Sequence, residues 1–356
     1  MTDFLAARNI LAVRMDNLGD VVMLGPALRA VKESSPQAHL TLLASPGGAA
    51  AAPLLPWLDD VISWKAIWQD MGHMPFDLAR ERQLVEVLAE RQFDAALIFT
   101  SFSQGPHGPG YACYLAGIPL RAGESKEFGG RVLSHELRGA PDELHQVERN
   151  LRLVEMLGFG ARDRRLMVRV PEEARHTAPE ILAAAGIEPG ESYVLAHPGA
   201  SAQARRYAPE RFGEVVRVLT AQGLQVLVTG VEREAALFDT LRAHAPGAAY
   251  LLGGTTLPEY AALIERAALV VCNNTLPMHL SDATRTPAVV LYAGTELDEQ
   301  WRPRTTRHVL LRRPTPCQPC YLFQCPIGHP CLDISPGEVV EAALSLLEQR
   351  VVSAES

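Results

Sequence analysis

The sequence predicts an α/β protein of two doubly wound, parallel-sheet domains. Three observations carry that reading. Apolar runs of strand length alternate with helical stretches, the alternation lapses near the middle and restarts, and 356 residues exceed what one ordinary core absorbs. Strands that alternate with helices imply a parallel sheet covered on both faces. The passage from LMVRV into PEEARHTAPEILAAAG marks the crossing, giving domains of residues 1–170 and 171–356.

In chain order, NILAVRM is the first buried strand, DNLGDVV the turn behind it, and Leu24, Leu28, Val31 and Lys32 trace the first helix. HLTLLAS, DVISW and DAALIFT read as further strands, the last after a helix from Leu78 to Arg91. Residues 105–139, rich in Gly, Pro and charge, read as loops over a cleft, ahead of a helix at about 143–157. In the second half the strands are YVLAHP, LQVLVTG, AYLLG, ALVVCNN and PAVVLYA, with helices near 209–222, 232–244, 257–266 and 277–283.

Composition excludes several classes. A net charge of −8 leaves no basic stripe for a nucleic-acid backbone. The N-terminus MTDFLAARNI has no signal-peptide layout, and no run approaches the ~18 apolar residues of a membrane span, so the expected location is the cytoplasm. Cysteines are reduced there, and a local cluster reads first as metal ligands.

Ligands of open α/β sheets sit beyond the carboxyl ends of strands, which directs attention to four segments. In RMDNLGD, Asp20 falls where a helix begins. The plain reading is a carboxylate favoured by the helix dipole, and the functional one a base at the mouth of the first strand–helix turn, with Arg14 able to pair with Asp16 or Asp20. In HPGAS, His197 follows a strand, and Gly199, Ala200 and Ser201 are small enough for backbone N–H groups to approach an anion. Arg205 and Arg206 then suit a diphosphate, or form a solvated basic turn. In NNTLPMH, from Asn273 to His279, Pro277 fits a first helical turn, and Asn274 and Thr275 could hold phosphate or ribose oxygens. The alternative there is a capped helix with a core histidine. Cys317, Cys320, Cys325 and Cys331 form C-x2-C-x4-C-x5-C, a spacing that suits a closed structural site for zinc or iron, with disulfides the alternative in an oxidised fold.

Taken in order, RMDNLGDVVMLGPALRAVKESSP, HPGAS with RRYAPERF, and NNTLPMHLSDATRTPAVVLYAGT resemble the three motifs of glycosyltransferase family 9, the heptosyltransferase family of bacterial lipopolysaccharide core assembly. The resemblance runs over nearly the whole chain. It implies GT-B architecture: two Rossmann-like domains facing across a cleft, the first binding the acceptor and the second the nucleotide sugar. It implies that Asp20 is the base of an inverting transfer and that Arg205 contacts the donor phosphate. The donor side would comprise His197, Gly199, Ser201, Arg206, Asn273, Asn274, Thr275, Leu276, Met278 and His279. The acceptor side would comprise Arg14, Asp16, Asn17, Ser101, Gln104, and His145 and Arg149 of HQVERN.

The implied donor is ADP-heptose and the implied acceptor a lipopolysaccharide core or other envelope glycan or glycolipid. Catalysis needs no cofactor, and membrane contact is at most peripheral, at the inner face. Family members usually carry Asp-Thr-Gly or Asp-Ser-Gly before the proline, whereas this chain has Asn274, Thr275 and Leu276. The change removes a carboxylate and adds bulk, so the alternative is a catalytically weakened or silent GT-B scaffold. A Rossmann epimerase or dehydrogenase is disfavoured because DNLGD lacks G-x-G-x-x-G.

Overall fold

The computed structural model describes residues 3–70, 72–101, 104–188 and 190–354. The chain divides into two compact units, Met1–Arg169 and Val170–Ser356.

Unit 1 runs β1 (Asn9–Arg14), α1 (Leu18–Val22), α2 (Gly25–Ser34), β2 (His39–Ala44), α3 (Pro46–Ala49), β3 (Asp60–Ser63), α4 (Leu78–Glu90), β4 (Ala95–Ile98), α5 (His107–Leu115), β5 (Leu120–Glu124), β6 (His135–Leu137) and α6 (Gln146–Met156). Its six strands pair in parallel in the order β3-β2-β1-β4-β5-β6. The chain starts at the centre of this sheet, and Ile10, Leu11 and Ala12 of β1 are fully buried. A strand covered on both faces needs an unbroken apolar run, which NILAVR supplies. The order reverses between β1 and β4, where a doubly wound sheet opens its crevice.

Unit 2 repeats the plan with α7 (Glu172–Ala184), β7 (Tyr193–His197), α8 (Pro209–Ala221), β8 (Gln225–Gly230), α9 (Ala235–His244), β9 (Ala249–Leu252), α10 (Leu257–Arg266), β10 (Leu269–Asn273), α11 (Leu276–Thr284), β11 (Ala288–Leu291), α12 (Asp298–Trp301), β12 (His308–Leu311) and α13 (Pro336–Ala354). The order β12-β11-β10-β7-β8-β9 puts its reversal between β7 and β10. Phe212, Val216 and Phe238 from the helices pack on Val194, Val228 and Val271 from the strands, forming one apolar core. Local signals set the helix ends. Thr256 and Glu259 cap α10 reciprocally, the Thr256 N–H donating to Glu259 Oε2 at 2.7 Å.

One expectation fails. Residues 105–139 are not loops, because they contain α5, β5 and β6. Gly and Pro in HGPGYACYL disguise a helix that packs closely, with Pro109 and Gly110 buried. In β5, LRAGE hides its burial behind charges. Arg121 is satisfied by the carbonyls of Pro119 and Val132, and Glu124 pairs with Arg149 at 2.8 Å. β12 also went unread. Among the described residues, no helix is long and apolar enough to cross a membrane.

Candidate active site

In unit 1 the ends of β1 and β4 converge on a charged cluster. Arg14, the last residue of β1, has no exposed surface. Its Nε meets Asp16 Oδ2 at 2.8 Å, and its Nη2 donates to Asp20 Oδ1 at 3.0 Å and to Ser101 Oγ at 2.9 Å. One guanidinium therefore fixes two carboxylates. Asp20 also accepts the Asn17 N–H on Oδ2 at 3.2 Å, which ties it to the first turn of α1. Its side chain keeps 15% of its surface exposed against 7% for Asp16, so Asp20 is the more open of the two to a reactant. Asp16 Oδ1 accepts N–H groups from Gln69 at 2.7 Å and Gln104 at 2.5 Å. Burial raises the Asp16 pKa, with Arg14 opposing and the Asp20 charge adding to the rise.

The other acceptor-side candidates lie on α6. His145 caps that helix by accepting the Val147 N–H at 3.2 Å. Arg149 is buried, paired with Glu124 and donating to the Pro141 carbonyl at 2.6 Å, and so braces β5. Gln69 was not singled out from the sequence, since a lone glutamine after a short strand carries no pattern.

In unit 2 the reversal between β7 and β10 brings the second and third motifs together. Asn273 is fully buried. Its Nδ2 donates to the Pro198 carbonyl at 2.8 Å, and its Oδ1 accepts the Tyr207 N–H at 3.1 Å. This one amide ties the His197–Ser201 loop to the start of α8. Gly199 is required, because a Cβ there would collide with the carboxylate of buried Glu234, which accepts the Val231 N–H at 3.1 Å. Arg206 braces the same loop, donating to the Ala200 carbonyl at 3.0 and 2.8 Å. Ser201 is exposed. His197 Nδ1 lies 3.1 Å from both Thr229 Oγ1 and Tyr260 OH, and desolvation lowers its pKa to about 4, leaving it neutral.

Arg205 pairs with Glu296, which follows β11, and its charge is felt by His279 and Tyr292. Arg205 Nε is nevertheless buried without a hydrogen-bond partner. Two more buried polar atoms share that condition at the ends of β10 and β11. They are Asn274 Nδ2, whose Oδ1 accepts the Ala293 N–H at 3.1 Å, and Thr295 Oγ1. Thr275 is the extended residue that opens α11, and Leu276 beside it is half-buried. Met278 lies in the core, and His279, 9% exposed, packs edge-on against Trp301. Glu234, Glu296 and Thr295 escaped the sequence reading because each is a single polar residue outside a motif.

All four clustered cysteines are free thiols. Among the described residues, no group of three or more His, Cys, Asp or Glu side chains is arranged to hold a metal ion. The Cys320 N–H donates to the Gly294 carbonyl at 3.0 Å and the Arg313 N–H to the Cys331 carbonyl at 2.8 Å, so backbone bonds fasten the loop beside β11.

Two parallel six-stranded sheets, each with polar residues gathered at its reversal point, give the chain the GT-B architecture of glycosyltransferases. The chain belongs to glycosyltransferase family 9 (heptosyltransferase), which residues 82–330 match. It is 24% identical over 299 residues to lipopolysaccharide heptosyltransferase 3 of Escherichia coli K12, covering 81% of this chain and 83% of that one. In fold it resembles a family 9 glycosyl transferase of Veillonella parvula (TM-score 0.79, 18% identity, 96% and 97% covered). It also resembles the E. coli ADP-heptose lipopolysaccharide heptosyltransferase II (TM-score 0.75, 21% identity, 96% and 99% covered).

Proposed function

We propose that this glycosyltransferase is an inverting heptosyltransferase that moves heptose from ADP-heptose to a hydroxyl of a lipopolysaccharide core or related envelope glycan. Unit 1 binds the acceptor in this reading and unit 2 the donor. The names of the similar proteins favour heptose and ADP. The observation that carries the donor site is the set of three buried polar atoms without partners, Arg205 Nε, Asn274 Nδ2 and Thr295 Oγ1, beside the start of α11. Buried polar groups normally find partners, and a diphosphate with its ribose would supply them.

Asp20 removes the proton as the acceptor oxygen attacks the anomeric carbon, and ADP leaves from the opposite face, inverting the centre. Arg205 and the N–H groups opening α11 stabilise charge on the departing diphosphate; removing one such group typically lowers kcat by about 10²–10³-fold. The test is a transfer assay with ADP-heptose and rough-core lipopolysaccharide, run beside calorimetry. Asp20→Asn should lose turnover by at least about 10²-fold while binding ADP-heptose as the parent does. Equal loss of both removes Asp20 from the role of base. Donor binding by the parent protein without transfer returns the chain to the silent class that Asn274 and Leu276 suggested.

The proposal extends to the 317–331 loop, where the four thiols would hold a structural zinc or iron. Support comes from their spacing and from the His329 N–H, which donates to Cys325 Sγ at 3.3 Å. Burial, with the neighbouring Cys325 and Cys317, raises the Cys331 pKa, a penalty that a bound cation would reverse. The thiols as they stand are not gathered into a ligand set, so binding would reshape the loop. Elemental analysis of protein purified under reducing conditions should find about one metal per chain. Finding none refutes this part.

A further inference from the structure

Beside the Asp16 cluster, wholly within unit 1, lies a cavity of about 270 Å³. Its lining includes Trp68, Gln69, Phe99, Thr100, Gln104 and Pro109. The volume falls below the ~300–1,000 Å³ of drug-sized ligand pockets and suits one small ring. Its chemistry is specific. An indole and a phenyl ring give apolar walls, on which the C–H faces of a sugar ring pack. Two primary amides stand beside them, each committing one N–H to Asp16 Oδ1 and keeping further donor and acceptor capacity.

Trp68 is held from behind. Residue 108 has room only for glycine, because a Cβ there would press on Trp68 Cβ and Cγ at 2.9 Å. The amides are held as well, since Asp16 is itself fixed by Arg14. Arg14 also carries Asp20, so the cavity lies one guanidinium away from the proposed base.

None of the described lining residues carries a charge, and both amides reach the Asp16 carboxylate, which shares the Arg14 guanidinium with Asp20. An anionic ligand would add a third negative charge where Asp16 already resists ionisation through burial.

We propose that this cavity is the acceptor-sugar subsite, that Trp68 and Gln69 contact the ring, and that the accepted sugar is neutral rather than carboxylated or phosphorylated. The inference rests on the transferase reading for its biological sense, but its test does not. Saturation-transfer difference spectra are recorded on the full chain with methyl α-D-mannopyranoside and a methyl heptopyranoside, and with methyl α-D-glucuronide and mannose 6-phosphate. The neutral glycosides should give ring-proton signals and the anionic ones should not. Trp68→Ala and Gln69→Leu should each reduce the neutral signals to a small fraction of the parent value. If Trp68→Ala does not fold, Gln69→Leu alone decides, because that side chain is half-buried and outside the core.

Calorimetry with ADP-heptose on the same samples reads the donor site separately and should be unchanged in both variants. Failure of the parent to bind donor, with glycoside binding intact, sinks the heptosyltransferase reading and leaves the subsite standing. Equal signals from the anionic sugars, no signal from any neutral glycoside, or an unchanged signal in Gln69→Leu overturns the subsite.

Discussion

Replacing Arg14 by methionine tests whether the paired carboxylates are organised by that one side chain. Arg14 is fully buried and meets Asp16 at 2.8 Å and Asp20 at 3.0 Å. With charge centres about 4 Å apart and an effective dielectric near 20, each attraction is about 4 kcal/mol. Desolvation of the guanidinium and repulsion between the carboxylates offset much of that sum. Removal leaves Asp16 buried without its cation, and breaking a buried pair from one side typically costs about 3–5 kcal/mol.

The assay is urea unfolding followed by tryptophan emission, since Trp57, Trp64 and Trp68 lie in unit 1 and only Trp301 in unit 2. With a slope near 2 kcal/mol/M, the midpoint should fall by about 2 M. Arg14→Met/Asp16→Asn should recover more than half of the loss, because no charge then stays buried at position 16. The deficit of the single variant should also shrink as the pH falls. Asp16 has a folded pKa above its unfolded value, so its charged form opposes folding above that range, and protonation relieves the penalty. A midpoint shift below about 0.5 M, or a double variant no better than the single one, would refute the reasoning.

Three further outcomes are expected. Glu296→Gln frees Arg205 from a partly exposed counter-ion, a pair worth about 1 kcal/mol, so ADP affinity measured by calorimetry should tighten roughly fivefold; weaker binding would mean that Glu296 positions Arg205 instead. His279 has its pKa lowered by burial to about 4, so the stability it confers is full above its unfolded value near 6.5 and is lost as the pH falls through 4. His279→Gln should flatten that acid limb of the stability–pH profile by roughly 3 kcal/mol, and an unchanged limb would contradict the assignment. Phe212 is fully buried and meets Tyr207 edge-on, so Phe212→Ala should cost about 3–5 kcal/mol by denaturant titration followed by circular dichroism, while a loss below about 1 kcal/mol would mean that the core closes over the gap.

What the sequence disclosed follows from where information is local. β1, β7 and β10 were legible because a strand buried on both faces must be an unbroken apolar run. The loops behind them were legible because their residues are adjacent in the chain. β5 was not, because its charges are buried by partners that an apolar pattern does not display: backbone carbonyls near the strand for Arg121, and for Glu124 the distant Arg149 on α6. The same limit hid Gln69, whose amide reaches Asp16 across 53 positions, and Glu296, which meets Arg205 across 91.

The two reversal points solve opposite electrostatic problems with one architecture. At the end of β1 two carboxylates share one cation, which a strand residue provides, and the more open Asp20 is held in orientation by it. Beyond β7 the cation Arg205 is paired with Glu296, and in the proposed reaction it would meet the donor diphosphate. A neutral amide, Asn273, shapes the loop, and Arg206 braces it through the Ala200 carbonyl. Glu296 balances Arg205 from β11 through a pair that is only partly buried and therefore separable, whereas the Arg14 pairs are nearly closed to water and are not. The difference in exposure fits the roles proposed for these residues, since the Arg14 pairs are sealed in and the Arg205 pair is left within reach of solvent.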